Sequence, residues 1–163
     1  MINYDAVVVG GGVIGCCTSY YLTKAGLKVA LVEKEDIASG ITSSCDGNIL
    51  ISDKKPGFDT DLASASQNLF KELDKELDYE FDYTQKGSLY LIESDEEWLV
   101  ADDFVKKQTA NGYSMRMLNH EQVHKDEPLL ADDIIGGVEI ETDSAVYPMA
   151  FCYSLIDKAC KKG

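Results

Sequence analysis

The sequence predicts an α/β fold, and three observations carry that expectation. Ala6-Val7-Val8-Val9 is a short, unbroken apolar run rich in β-branched residues, the pattern of a strand buried on both faces of a parallel sheet. Gly10, Gly12 and Gly15 follow in G-x-G-x-x-G spacing. The residues after them place Ile14, Cys17, Thr18, Tyr21 and Leu22 at helical intervals, as far as Gly26, where a helix C-cap belongs. Leu27 to Glu33 (LKVALVE) then reads as a second strand closed by an acid. Strand, glycine turn, helix, strand and acid all fall within about 30 residues, the length of one βαβ unit.

Each of the three glycines answers a physical need. The first permits a tight turn out of the strand. The second lacks a Cβ, so a pyrophosphate can approach the backbone, and the third lets the helix pack closely on the strand. A helix N-terminus offers free N–H groups and roughly half a positive charge to phosphates, here from the amides around Val13 and Ile14. Glu33 stands where a carboxylate accepts hydrogen bonds from the ribose of a bound dinucleotide, and its charge disfavours a 2′-phosphate. A glycine triplet of this spacing also occurs by chance in plain loops. Here the strand before it, the helix after it and the acid beyond favour dinucleotide binding. Ser19 stands where such helices usually carry Gly or Ala, and it is small enough to keep the packing.

Composition narrows the class. A chain of 163 residues suits one domain with at most a small satellite, and it can bury roughly 70% of its unfolded surface. Its 45% hydrophobic and 27% charged residues are ordinary for a soluble globular protein. A net charge of -14 argues against a nucleic-acid partner, which needs clustered Lys and Arg. The five cysteines, Cys16, Cys17, Cys45, Cys152 and Cys160, are odd in number and form no C-x-x-C pair, so a reducing, cytoplasmic setting is expected. The N-terminus is not expected to be a signal peptide, because Asp5 precedes the apolar run and glycines interrupt it. No run of about 18 uncharged apolar residues predicts a transmembrane helix.

Beyond Ile51 the chain passes through a polar breaker, SDKKPGFDT, into a predicted helix over 61–78. Leu62, Ala65, Leu69, Phe70, Leu73 and Leu77 form its apolar positions. A strand is expected within 83–94, with Gly87 as a break. A helix over 95–112 follows, opened by a Ser94–Glu97 capping box and carrying Trp98, Ala101, Phe104 and Val105 as its core face. Met115 to Met117 predicts a short strand. Residues 119–130 predict a short helix, and 133–150 a hairpin-like strand pair before Pro148 opens a last helix. His120-Glu121-Gln122-Val123-His124 matches the letters of H-E-x-x-H. A zinc protease needs a long apolar-faced helix and a third ligand, whereas this segment is charged and stopped by Pro128, so no metal site is expected.

Three stretches resemble the D-amino-acid-oxidase-like FAD-dependent oxidoreductases, the group of glycine oxidase, sarcosine oxidase and D-amino-acid dehydrogenases. They are VVVGGGVIGCCTSYYLTKAGLKVALVEKEDIASG, the Ser-Ser-x-x-Gly-Asn segment Ser43 to Asn48, and EPLLADDIIGGVEIETDSAVYPMAF. The resemblance implies a Rossmann-type FAD-binding βαβ with part of an α+β substrate domain inserted, and it implies an incomplete fold, because family enzymes are much longer. It divides the chain into FAD-binding residues 1–80, substrate-domain residues 81–146 and a helix over 147–163 that returns to the first part. It implies FAD as cofactor, with Gly10, Gly12, Val13, Ile14 and Gly15 at the pyrophosphate, Glu33 at the adenosine ribose and Lys34 near the adenine. Ser43 and Ser44 become candidates for phosphate or ribityl contacts, the plain alternative being a solvated turn. Gly47, Asn48 and Ile49 would lie close to the flavin ring, and Cys45 has no matched role.

The implied activity is oxidation of a C–H bond next to an amine by hydride transfer to flavin, with a small amine as substrate. A 2-hydroxy acid or glycerol 3-phosphate dehydrogenase is the alternative within the family, and a non-catalytic nucleotide-binding module completed by another polypeptide or an oligomer is the alternative outside it. An NAD enzyme fits less well, because the Ser/Gly segment after Glu33 runs on where a crossover helix would begin. No residue of this stretch takes the role of catalytic acid or base.

Overall fold

Two parallel strands carry the glycine turn. β1 (Ala6–Val9) pairs with β2 (Val29–Val32), Ala6 opposite Val29 and Val9 opposite Val32, and α1 (Val13–Lys24) forms the crossover between them. The computed structural model describes residues 3–162. They fall into two units: Met1–Asn48 with Leu69–Thr84 and Ala145–Gly163, and Ile49–Asn68 with Gln85–Ser144. Compactness thus groups 49–68 with the second unit, whereas the reading above runs its first part to residue 80.

In the first unit, α1 buries Cys16, Ser19 and Tyr20. That face packs with Phe151, Cys152 and Leu155 of α5 (Pro148–Lys162), together with Leu73, Leu77 and Phe81. Leu73 lies in α2 (Phe58–Glu76), a helix whose first half belongs to the second unit. Phe70 lies 4.8 Å from Phe151 and stacks on Tyr83, continuing the aromatic core. Lys24 pairs with Glu76 at 2.6 Å, and Asp78 with Lys158 at 2.8 Å. Only one face of the parallel pair is covered. Ala6 and Val8 are half-buried, while Val7 is 62% exposed and Val9 83%. The burial of β1 on both faces expected from its composition is therefore not met within this chain.

The second unit is built on an antiparallel sheet of three strands. β4 (Ser88–Ile92) and β5 (Met115–Asn119) flank β6 (Gly136–Ile140), with Tyr90 and Met117 both opposite Val138. α3 (Asp95–Ala110) lays Ala101 and Val105 over Ile92, Val138 and Ile140, as its periodicity predicts. The Trp98 ring occupies the space beside Gly136, where a Cβ would come within 2.5 Å of it. Buried Gln108 holds Thr60 Oγ1 at 3.1 Å and the Lys54 carbonyl at 3.2 Å. α4 (His120–Asp126) starts with a reciprocal Asn119–Gln122 capping box and buries Val123 against Leu118 and Ile134.

Several expectations change. The hairpin over 133–150 does not form: β6 lies between β4 and β5, and the next strand, Ser144–Ala145, is not its partner. The central place of β6 follows from Gly136 and Gly137, which let neighbouring backbone and rings approach. The Ser94–Glu97 box is half made. Ser94 accepts from the Glu97 amide, but the Glu97 carboxylate accepts from Glu93 at 2.9 Å. On α2, Leu62, Ala65 and Leu69 are exposed, while Ala63 packs on the core of the second unit and Phe70 and Leu73 on that of the first. The strand within 83–94 shortens to Ser88–Ile92, after Gly87 at φ +74.

Candidate functional site

The turn Gly10–Gly15 is held open by its neighbours. A Cβ on Gly15 would lie 1.8 Å from the Gly10 carbonyl, so only glycine lets α1 start this close to β1. The Cys16 thiol donates to the Gly11 carbonyl at 3.3 Å and Ala38 N–H to the same oxygen at 2.8 Å, tying helix and following loop to the turn. Glu33, at the end of β2, accepts from the Gly11 amide at 2.6 Å through Oε2 and from the Glu35 amide at 3.0 Å through Oε1. The Gly11, Glu35 and Lys34 amides hold its carboxyl below the usual carboxylate range, and they do not use up the roughly four acceptor sites of a carboxylate. The carboxylate is thus turned toward the turn, on a half-buried residue.

The amides at the mouth divide into two sets. Val13 N–H donates to Thr42 Oγ1 at 3.0 Å. The Gly12 and Ile14 N–H groups take no hydrogen bond among the described residues, and no side chain caps the helix locally. A Cβ on Gly12 would enter the space before Thr42 Oγ1, at 3.4 Å. Free amides, a helix N-terminus and a mouth a side chain would fill form a cradle for an anionic diphosphate. Beside it stands a carboxylate with spare acceptor capacity, so the residues present fit a dinucleotide.

The other candidates are placed unevenly. Lys34 points to solvent and pairs with Glu35 at 3.3 Å. Ser43 and Ser44, in the 3₁₀ turn Ile41–Ser44, donate their hydroxyls inside that turn, Ser43 to Gly40 O at 2.8 Å and Ser44 to Gly40 O at 3.4 Å. Thr42, between Ile41 and Ser43, is the hydroxyl brought to the glycine turn. In the sequence its only signal is that of a third hydroxyl in the same small-residue segment. Gly47 adopts φ +73 with its α-carbon against the Val146 carbonyl, where a Cβ would come within 2.2 Å, and its own carbonyl accepts from Val146 N–H at 3.0 Å. Asn48 is exposed and Ile49 half-buried.

Among the cysteines, Cys45 and Cys160 are exposed, and burial pushes the Cys17 thiol up to about 11. The His120 and His124 rings stack at 4.1 Å, and both nitrogens of His124 face carbonyls, those of His120 at 2.9 Å and Ala131 at 3.1 Å. That engagement leaves the H-E-x-x-H letters without the paired ligand nitrogens a metal needs.

A glycerol 3-phosphate dehydrogenase from Caloramator mitchellensis is 32% identical over 164 residues, 98% of this chain and 34% of the relative. A glycine oxidase from Bacillus licheniformis is 34% identical over 158 residues, 92% of this chain and 41% of the relative. In three dimensions the chain matches the glycine oxidase from Bacillus cereus ATCC 14579 with a TM-score of 0.88 at 28% identity, over 99% of this chain and 45% of that one. The chain spans less than half the length of each. The family described as FAD dependent oxidoreductase (DAO) matches residues 5–163, and with that span the chain belongs to this family.

Proposed function

We propose that this chain supplies the dinucleotide-binding portion of an FAD-dependent enzyme that oxidises a C–H bond next to an amine. The observation that carries this reading is the Glu33 carboxylate bonded to Gly11 N–H beside the unclaimed amides of Gly12 and Ile14. Bound FAD supplies the hydride acceptor. The chain's own residues bind and orient it. The turn Gly10–Gly15, with Val13 and Ile14, takes the diphosphate and Thr42 braces the turn's mouth. Glu33 accepts from the ribose hydroxyls, with Lys34 near the adenine. Ser43 and Ser44 shape the loop that leads to Gly47, Asn48 and Ile49 at the flavin. The five free cysteines support a reducing, cytoplasmic location. Among the described residues no helix is long and apolar enough to cross a membrane.

A second substrate class, a hydroxyl-bearing compound such as glycerol 3-phosphate, is favoured by the 32% identity to a glycerol 3-phosphate dehydrogenase over nearly the whole chain. Exposed Val7, Val9 and Val32 on the parallel pair support completion of the first unit by further polypeptide, in the same protein or a partner. The test is an absorbance spectrum of the purified protein, followed by FAD titration and anaerobic addition of glycine, sarcosine, D-amino acids or glycerol 3-phosphate. Flavin bands bleached by an amine support the primary reading, and bleaching by glycerol 3-phosphate alone selects the second. A colourless protein that binds NADH and not FAD overturns both.

A further inference from the structure

Two free thiols, Cys16 on α1 and Cys152 on α5, have no exposed surface and lie in one core cluster of the first unit. They are hydrogen-bonded to each other. Cys16 donates its own proton to the Gly11 carbonyl at 3.3 Å, so Cys152 is the donor between the two sulfurs. The Gly11 amide in turn donates to Glu33 at 2.6 Å. One chain of bonds therefore runs from α5 through both thiols and the Gly11 peptide to the Glu33 carboxylate. Accepting from Cys152 makes Cys16 the more acidic of the pair, against the opposing effect of burial, whereas donating to Cys16 and being buried both raise Cys152. The other cysteines lack this arrangement: Cys45 and Cys160 are exposed, and burial raises Cys17.

We propose that Cys16 and Cys152 form a peroxide-operated thiol switch behind the glycine turn: closing their disulfide withdraws the Cys16 hydrogen bond from Gly11 and weakens nucleotide binding. The inference rests on the reading that the turn Gly10–Gly15 holds a nucleotide. The oxidant is hydrogen peroxide, small enough to reach thiols that are closed to bulkier reagents. The Cys16 thiolate attacks one peroxide oxygen, the O–O bond breaks, and the departing hydroxide takes a proton to become water. Cys16 is then a sulfenic acid, oxidised by two electrons. The Cys152 sulfur displaces its hydroxyl group, which leaves with the Cys152 proton as a second water, and an S–S bond joins α1 to α5. Two thiols and one peroxide thus give one disulfide and two waters. The Gly11 carbonyl keeps the Ala38 N–H at 2.8 Å and loses its sulfur donor. A dithiol reductant reverses the change by thiol–disulfide exchange, and a transient, redox-sensing bond is the kind a reducing compartment allows.

The experiment treats the reduced protein with hydrogen peroxide, maps its disulfides by mass spectrometry of non-reduced peptides, and titrates AMP and FAD before oxidation, after it and after dithiothreitol. A Cys16–Cys152 bond is expected, with AMP affinity lowered about threefold to tenfold, the worth of one hydrogen bond, and restored by dithiothreitol. Cys152→Ser should bind AMP as the reduced parent does and show no response to peroxide. Cys16→Ser, which keeps a hydroxyl donor for Gly11, should be equally insensitive and decides the matter if Cys152→Ser does not fold. Cys16 and Cys152 both recovered as free thiols after peroxide, or linked only to other cysteines, overturn the inference. So does a Cys16–Cys152 bond that leaves AMP affinity unchanged. A reduced parent that binds neither AMP nor FAD overturns the cofactor reading and the inference with it, whereas a parent that binds both and forms no such bond overturns the inference alone.

Discussion

The two units solve the burial of a sheet in opposite ways. In the second, three antiparallel strands and α3 close a core in which Ile92, Val138 and Ile140 are nearly inaccessible. In the first, two short parallel strands made only of Ala, Val and Leu leave Val7, Val9 and Val32 more than half exposed. Antiparallel sheets tolerate one open face, whereas parallel strands of this composition belong to sheets covered on both. The second unit therefore closes its core with its own residues. The first carries the nucleotide cradle on strands whose apolar outer face calls for cover.

Substitutions can break this contrast. The largest effect is expected at Gly15. Gly15→Ala drives a Cβ into the Gly10 carbonyl, so AMP and FAD binding measured by titration should be abolished. Next comes a paired test of burial. Ile92→Ala removes a fully buried side chain and should lower stability by about 2–5 kcal/mol in urea denaturation. Val9→Ala at an 83% exposed site should stay within about 0.5 kcal/mol in this chain. A much larger loss from Val9→Ala in the same measurement would show that the outer face of β1 is covered in solution.

A smaller effect concerns Glu33. Its carboxyl lies below the ordinary value of 4.5, so its contribution is complete above that value and fades as pH falls through the lower, folded one. AMP binding should be flat from neutral pH down to that range and weaken only in more acidic solution. Glu33→Gln should weaken AMP roughly tenfold or more at neutral pH, and the two curves should converge in acid. The smallest effect is on labelling. With its thiol raised to about 11, Cys17 should resist iodoacetamide at pH 8 while exposed Cys45 and Cys160 react, as mass spectrometry of the labelled protein will record.

Short-range features were legible and long-range ones were not. The βαβ unit, the Asn119 and Pro148 helix starts and the α3 core face each depend on residues within a few turns of one another. The insertion of β6 between β4 and β5 depends on which distant strands accept Gly136 and Gly137, and periodicity carries no such information. At the site, Gly15 and Glu33 declared themselves by spacing. Thr42 did not, because its bond to Val13 closes across 29 residues and its neighbours Ser43 and Ser44 look equivalent in the chain. Away from the site, buried Asp143 sits in an ordinary polar turn, TDSA, and only the fold brings the Ile51 and Ser52 amides onto its carboxylate.

The flat seat that Gly136 offers Trp98 has an optical consequence. Trp98 is the sole tryptophan of the chain, and it is lodged wholly within the second unit. Its emission is therefore a private reporter of that unit's melting, while ellipticity reports on helices in both. Any separation between the two thermal curves measures how far the cradle-bearing half comes apart on its own.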